Sequence, residues 1–293
     1  MPTHAPELAP SNETPLPVPL IAAAVDVLSR ADALLVTAGA GMGVDSRLPD
    51  FRSEDGFWRA YPALRQYGFS FEAMATAQRF EEDPQLAWGF YGHRLQLYRD
   101  TVPHAGFQLL RKWGARMSRG AFVFTSNVDG QFQKAGFSEK RIHEVHGTIH
   151  QLQCVAACTQ DTWPADGFNP LVNAQTSRLD NALPRCINCG RLARPNILMF
   201  WDGFWVEKLS DAQEARLRAW YASVRRPVVV ELGAGKALPT VRRFGERHGR
   251  HRLIRINVRE SATAPQHGLG FAGSARETLE QIDTALIAAG WSD

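Results

Sequence analysis

Residues 37–52 read T-A-G-A-G-M-G-V-D-S-R-L-P-D-F-R and directly follow the apolar run of residues 33–36. An apolar run ahead of clustered glycines predicts a buried parallel strand that ends in a phosphate-binding turn. Gly39, Gly41 and Gly43 would let the backbone approach a diphosphate and direct bare N–H groups at it. Val44 stands where the dinucleotide fingerprint G-x-G-x-x-G has its third glycine, so the glycines alone fit an ordinary strand-to-helix turn equally well.

The end of this stretch favours the nucleotide interpretation. Asp50, Phe51 and Arg52 place an acid, an aromatic ring and an arginine just beyond the glycines. Arginine pairs with phosphate, and a ring can shield a reacting sugar from water.

The composition is that of an ordinary soluble globular protein. The chain has 293 residues, of which 44% are hydrophobic and 22% charged, with a formal net charge of +3. So small a charge gives no support for nucleic-acid or membrane binding. No apolar run approaches the roughly 20 residues that span a bilayer. The N-terminus shows no secretory signal, so we expect a cytoplasmic protein.

Predicted strands alternate with predicted helices along the chain. The strands are expected at residues 121–124, 196–200, 228–232 and 253–257, and the helices at 20–31, 104–113, 210–224 and 278–289. A further helix is expected from Pro84 onwards, after an aromatic-rich region typical of core. This alternation predicts an α/β fold with a doubly wound parallel sheet.

A polar run follows the second strand. Ser126, Asn127 and Asp129 stand at the carboxyl end of the apolar residues 121–124. Ligands of open parallel sheets gather at this edge, although the same residues could form a turn with a helix cap.

Three histidines lie close together after this run. His143, His146 and His150 would share a face at helical spacing and could bind a metal, but Gly147 and β-branched neighbours favour a strand or loop. A histidine beside a glycine suits an exposed base, so His146 is a candidate for proton transfer; a structural histidine is the alternative.

Four cysteines form two close pairs, Cys154 with Cys158 and Cys186 with Cys189. Thiolates at these spacings converge on a tetrahedral ion, and Zn²⁺ is the usual choice for four sulfurs. Four thiolates leave no open position, so the ion would be structural. Free or redox-active thiols are the alternative.

In combination these motifs resemble those of the sirtuins, the NAD-dependent protein lysine deacylases. Residues 39–52 resemble the first NAD loop of that family, and T-S-N-V-D at 125–129 resembles its T-Q-N-I-D. His146-Gly147 resembles its catalytic H-G, and the cysteine pairs resemble its zinc module. Further matches are A-G at 135–136, R-P at 194–195, G-A-G at 233–235 near its G-T-S, and I-N at 256–257.

The resemblance implies a domain plan. Residues 1–19 would be a flexible tail, and residues 20–52, 100–150 and 195–293 a Rossmann-like NAD-binding domain. Residues 53–99 would be a helical insert and residues 151–194 a zinc-binding module.

It also implies a reaction in which acylated protein lysines and NAD give free lysine, nicotinamide and O-acyl-ADP-ribose. His146 would act as the base, and Asn127 and Asp129 would hold the ribose and the nicotinamide amide. The implied NAD contacts are Gly39, Ala40, Gly41, Asp50, Phe51, Arg52, Ser126, Asn127, Asp129, Gly233, Ala234, Gly235 and Asn257.

A pair on the predicted helix from Pro84 bears on the substrate. Tyr91 and Arg94 lie three residues apart and so share a helix face. They resemble the Tyr-x-x-Arg of sirtuins that remove acidic acyl groups, and Ala75 resembles the small residue that widens their pocket. An arginine and a phenol can bind a succinyl or malonyl carboxylate. A helix-surface pair is the alternative.

The chain departs from the family pattern at four places. Ser126 replaces a glutamine, Arg47 a glycine, F-W-D at 200–202 replaces F-G-E, and G-A-G at 233–235 replaces G-T-S. Phe200 and Trp201 would therefore contact the substrate where a peptide lies along the family's backbone. The Trp201 change motivates a second hypothesis, ADP-ribosyl transfer or NAD hydrolysis with a non-standard acceptor. The Ser126 and G-A-G changes motivate a third, a non-catalytic NAD- or ADP-ribose-binding module.

Overall fold

A computed structural model describes residues 16–49, 61–62, 64 and 68–291 of the chain. Within them a six-stranded sheet with the order β3-β2-β1-β7-β8-β9 forms the larger unit, and all of its neighbouring strands are parallel. Its strands are β1 (Ala33–Ala38), β2 (Ala121–Thr125), β3 (Ile142–Glu144), β7 (Pro227–Leu232), β8 (Leu253–Ile256) and β9 (Gly268–Phe271). The predicted doubly wound α/β fold is confirmed.

Helices cover both faces of this sheet. They are α1 (Val18–Ser29), α5 (Ala105–Arg116), α7 (Lys208–Ala222), α8 (Thr240–Gly249) and α9 (Ala275–Ala288). Alternate residues of β1 face opposite cores: Leu34 and Val36 pack in a cluster with residues of α1, α5 and α9, whereas Leu35 packs with residues of α7 and α8. A strand with apolar partners on both faces reads as an unbroken apolar run, which is why β1 could be predicted.

A second sheet contains β4 (Gly147–Cys154), β5 (Trp163–Pro164) and β6 (Ala193–Ile197), in the antiparallel order β5-β4-β6. The predicted strand 196–200 is wrong in position, because pairing with β4 begins at Ala193 and ends at Ile197. Beyond Ile197 the chain instead bonds elsewhere: the Leu198 N–H donates to the His146 carbonyl oxygen, and the Phe200 N–H to that of Ala75.

The remaining helices lie beside this second sheet or in short connections. They are α2 (Phe71–Met74), α3 (Arg79–Glu82), α4 (Pro84–Asp100) and α6 (Gln131–Lys134), with 3-10 helices at Ala40–Ser46 and Glu139–Arg141. Asp83 caps α4 by accepting a hydrogen bond from the Leu86 N–H at 3.2 Å, and Pro84 occupies the first helical turn. The helix predicted from Pro84 is therefore confirmed. No helix within the described ranges is both long and apolar enough to cross a membrane.

The predicted start of the first helix differs from the structure. Val18 and Pro19 begin α1 rather than end the tail, and residues 1–15 lie outside the described part. The strand β9 and the helix α8 were not predicted at all. The G-L-G-F of β9 lacks an apolar run, and α8 is rich in arginine.

Candidate functional site

A cavity of about 250 Å³ lies at the carboxyl ends of β1 and β2. Residues in the connections after β1, β2 and β3 line it together with residues of β6, α2 and α4. The full set is Ala40, Leu48, Pro49, Phe71, Ala75, Tyr91, Arg94, Tyr98, Ser126, Asn127, Val128, Asp129, His146, Ile197, Leu198, Met199, Phe200, Leu238 and Thr240. Candidate cofactor residues, the candidate base and the candidate acyl-binding pair therefore share one space. Asp50, Phe51 and Arg52 lie outside the described residues, and their roles stay predictions.

The glycine loop is packed against a second loop. The Gly39 N–H donates to the Leu232 carbonyl oxygen at 2.9 Å, and the Gly41 N–H to that of Gly233 at 3.0 Å. A Cβ at Gly39 would lie 2.8 Å from the Gly233 oxygen, and one at Gly41 2.6 Å from the Gly233 Cα. The expectation that these N–H groups are bare is wrong, because loop-to-loop contact uses them. Of residues 39–41, Ala40 is the one that lines the cavity; further along the chain, Leu48 and Pro49 line it as well.

Asn127 connects the ends of β1 and β2. Its backbone N–H is bonded to the Thr125 Oγ1 at 3.0 Å, and its Nδ2 donates to the Gly39 carbonyl oxygen at 3.0 Å. Neighbouring Ser126 is buried and also lines the cavity. These contacts fix the polar run predicted at the carboxyl edge of the sheet.

Asp129 is a buried carboxylic acid in the cavity wall. Burial raises its pKa to about 6, while a hydrogen bond from the Gln131 N–H at 3.0 Å and the positive charge of Arg94 oppose this rise. The group is therefore ionised in most molecules at neutral pH and takes up a proton in mildly acidic solution.

His146 occupies the turn between β3 and β4, and its side chain lines the cavity with Asn127 and Asp129. The other two histidines point elsewhere. His143 is buried, bonds the Ser210 Oγ through Nε2 at 3.1 Å and has its pKa lowered to about 4 by burial. The His150 Nε2 lies 3.0 Å from the Asp129 carbonyl oxygen. A shared metal face is thus excluded, and strands replace the helical spacing that would have built it.

Tyr91 and Arg94 are buried in the cavity wall, so the helix-surface alternative is wrong. Tyr91 is 1% exposed, and burial raises its pKa to about 12, which keeps the phenol neutral. The Arg94 Nε and Nη2 donate to the Tyr98 hydroxyl at 3.1 and 2.9 Å. Ala75 lines the same space. Sequence reasoning missed Tyr98, although its spacing of four from Arg94 places it on the same helix face.

Phe200 lines the cavity, but Trp201 does not. The Trp201 side chain is 84% exposed, and its backbone has a φ of 53°. The two rings are in contact, with centroids 5.8 Å apart. Trp201 therefore stands beside the cavity rather than in it.

The second loop, residues 233–235, packs against the glycine loop at residues 39–41. The Asn257 Nδ2 donates to the Ala234 carbonyl oxygen at 3.1 Å, and the buried Arg242 Nη1 donates to the same oxygen at 3.0 Å. Gly233 has a φ of 59° and lies against Gly41. Arg242 was missed, because nothing in its local sequence distinguishes it from the exposed arginines of α8.

The four cysteines form a compact cluster. Their sulfur atoms all lie within 4.8 Å of one another, with Cys154 to Cys189 and Cys158 to Cys186 both at 3.6 Å. A zinc ion with Zn–S bonds of about 2.3 Å holds four sulfurs about 3.8 Å apart in a tetrahedron. The donor set therefore fits structural Zn²⁺. Within the described ranges this is the one group of three or more potential metal-binding side chains that converges in this way.

An open parallel sheet with a polar cleft at its carboxyl edge and a four-cysteine module defines a nucleotide-binding type of α/β protein with a zinc-compatible insert. The Sir2 family model matches residues 39–220, and the chain belongs to this family.

Individual relatives agree with this assignment. An NAD-dependent protein deacylase of Pyrococcus furiosus is 28% identical over 260 residues, covering 87% of this chain and 94% of its own. A probable bifunctional ADP-ribose hydrolase/ADP-ribosyltransferase of Fusarium oxysporum f. sp. cubense is also 28% identical, over 285 residues, covering 90% of this chain and 46% of its own. A Sir2 homologue mutant solved with ADP-ribose has the same fold, with a TM-score of 0.68 at 21% identity, over 92% of this chain and 98% of its own.

Proposed function

We propose that the protein is an NAD-dependent lysine deacylase acting on acylated proteins. The observation that carries the proposal is the shared cavity: His146 lines the same space as Asn127 and Asp129 of the sheet edge and Tyr91 and Arg94 of α4. Relatives that match most of this chain are NAD-dependent protein deacylases, among them that of Pyrococcus furiosus.

The residues that line the cavity would have different roles in binding and proton transfer. NAD, when bound, supplies the ribose carbon that the acyl oxygen attacks as nicotinamide leaves. Ala40, Ser126 and Asn127 would contact it from the sheet edge, and Asp129 would offer a carboxylate for the amide or ribose. His146 would accept a proton from a sugar hydroxyl, a task suited to an imidazole near neutral pH.

We further propose that Tyr91 and Arg94 bind an acidic acyl group. A guanidinium and a neutral phenol at the buried end of a cavity provide charge-assisted hydrogen bonds for a succinyl or malonyl carboxylate. Ala75 leaves room there, because its side chain ends at Cβ.

The domain plan is also a proposal. The NAD-binding domain would begin with α1 and comprise residues 18–52, 100–150 and 195–293, with residues 53–99 as its helical insert and residues 151–194 as the zinc module. We place the protein in the cytoplasm, where a reducing environment preserves four unpaired thiols as metal ligands.

Nicotinamide release measured with NAD and a panel of acyl-lysine peptides tests the main proposal. Release that requires the peptide, with O-acyl-ADP-ribose detected by mass spectrometry, is the expected result. The His146→Ala variant should lose turnover roughly 100-fold or more while its Kd for NAD stays unchanged. Unchanged turnover would remove His146 from the reaction, and saturable NAD binding without any nicotinamide would instead indicate a non-catalytic binding module.

Arg94→Met tests the acyl preference. Loss of a charge-assisted contact should reduce kcat/KM for succinyl-lysine roughly 10- to 100-fold. Acetyl-lysine turnover is the matched control and should change much less. Equal losses on both substrates would contradict a role in acyl selection.

ADP-ribosyl transfer is a second candidate. It is favoured by the Fusarium relative, which is described as a probable bifunctional ADP-ribose hydrolase/ADP-ribosyltransferase and of which this chain spans about half the length, and by Trp201 beside the cavity. Labelled ADP-ribose that stays on protein, with nicotinamide formed in the absence of any acyl peptide, would favour transfer over deacylation.

A further inference from the structure

Residues 198–204, here named the rim loop, carry exposed apolar side chains beside the cavity. Leu198 is 38% exposed, Trp201 84% and Phe204 55%, whereas Leu198 and Phe200 also line the cavity. Soluble proteins rarely expose large apolar side chains in clusters unless they bind something. The rim loop is therefore a surface adapted to a ligand that also enters the cavity.

The base of the rim loop is firmly held. Asp202 forms an ion pair with Arg194 at 2.8 Å, and both side chains are fully buried. The same carboxylate accepts hydrogen bonds from the Met199 N–H at 3.3 Å and the Phe204 N–H at 3.0 Å. These bonds close a tight turn whose tip is Trp201, so the indole is presented from a fixed base.

The conformation of Trp201 is costly in the free protein. Its φ of 53° lies in the left-handed region, where a residue other than glycine is strained because its Cβ approaches the backbone. An 84% exposed indole gains little burial to offset this cost. A glycine would adopt the same backbone without strain. Burial of the indole against a ligand would supply the missing stabilisation.

We propose that Trp201 is a specificity-determining residue that packs against a large apolar side chain next to the acyl-lysine of the substrate polypeptide. This inference rests on the proposed deacylase function. A lysine whose acyl group occupies the cavity leaves its flanking residues at the mouth, beside Phe200 and Trp201. Asp202, the acid of the rim loop, is buried against Arg194. The loop therefore presents apolar side chains to the solvent, and these favour an apolar flanking residue over a charged one.

The experiment uses two peptides that share one acyl-lysine and differ in the flanking positions, with phenylalanine in one and serine in the other. Binding is measured by fluorescence anisotropy without NAD, and turnover by nicotinamide release with NAD. The full-length wild type is compared with Trp201→Gly, Trp201→Phe and Val102→Ser. Val102 is a matched control, because it is 76% exposed and does not line the cavity.

The wild type and Val102→Ser should bind the phenylalanine peptide roughly tenfold more tightly than the serine peptide, the effect of one well-placed apolar contact. Trp201→Gly should abolish this preference, whereas Trp201→Phe should retain part of it. A Tm of Trp201→Gly at or above that of the wild type confirms that the variant is folded.

Three outcomes would overturn the inference. The first is equal preference in wild type and Trp201→Gly, and the second is a preference for the serine peptide. The third is a sedimentation coefficient that differs from that of the wild type in Trp201→Gly but not in Val102→Ser. This would assign the indole to contact between two copies of this chain. Absence of turnover on every acyl peptide with the binding preference intact would instead refute the deacylase function and leave the role of Trp201 standing.

Discussion

Glu144 is a buried acid whose ionisation should make the protein less stable as the pH rises. It ends β3, is 3% exposed and lines a second, polar cavity together with Asp129. Burial raises its pKa from an ordinary value of 4.5 to about 7, and the charge of Asp129 adds to the rise. Hydrogen bonds from Gln133, Gln213 and Thr148 oppose it but do not offset it.

The direction of the pH effect on stability depends on which state, folded or unfolded, binds the proton of Glu144 more tightly. Between pH 4.5 and about 7 the folded chain keeps a proton on Glu144 that the unfolded chain releases. The stabilisation is therefore complete below pH 4.5 and is lost as the pH rises through 7. The difference between the two pKa values corresponds to about 3 kcal/mol, of which about 2–3 kcal/mol should disappear between pH 5 and pH 8.

Glu144→Gln removes the titrating proton and keeps the shape of the side chain. Urea unfolding followed by circular dichroism at pH 5, 6, 7 and 8 should show that the wild type loses stability relative to Glu144→Gln as the pH rises. Glu139→Gln is the control, because Glu139 is an exposed glutamate that lines the same cavity. Parallel pH profiles for the wild type and Glu144→Gln would refute the reasoning.

Three further predictions concern stability. Arg47 has a φ of 65°, so Arg47→Gly should raise the free energy of unfolding by about 0.5–1 kcal/mol in urea unfolding, whereas Arg47→Ala should leave it nearly unchanged. Asp202→Ala leaves the buried Arg194 without its ion-pair partner and should lower the free energy of unfolding by about 3–5 kcal/mol. A decrease of less than about 1 kcal/mol in the same assay would contradict a buried ion pair. A zinc chelator should lower the Tm, and added Zn²⁺ should restore it; a Cys158→Ser variant with unchanged metal content by atomic absorption would contradict the four-cysteine site.

The strands of the large sheet could be predicted from the sequence where both faces are buried. Residues of β1, β2 and β7 are apolar on successive positions, and an unbroken apolar run carries that information locally. By contrast, β9 owes its place to pairing with β8, which no local pattern in G-L-G-F reveals. Residues 198–200, the start of the rim loop, were expected to continue a strand, because the groups to which their N–H groups donate, in His146 and Ala75, are distant in sequence.

The candidate site was predictable in its residue types but not in its hydrogen bonds. Asn127 and His146 stand at strand ends, where chain topology brings them together. The use of the Gly39 and Gly41 N–H groups depends on a loop almost two hundred residues away, so local sequence suggested a ligand instead. Trp201 was expected to contact the substrate, and that stays a prediction; its position outside the cavity depends on the turn closed by Asp202, which the local sequence does not reveal.

One strand joins the two chemically distinct parts of the molecule. His146 immediately precedes β4, and Cys154 ends it, so the candidate base and a thiolate of the metal cluster are separated by eight residue steps, about 26 Å along a fully extended backbone. An ion that takes no part in bond breaking would thereby anchor the far end of the segment that sets the imidazole's position. Loss of the metal would then lower turnover by displacing His146 through the strand that it shares with Cys154, without any contact between the metal and the reacting groups.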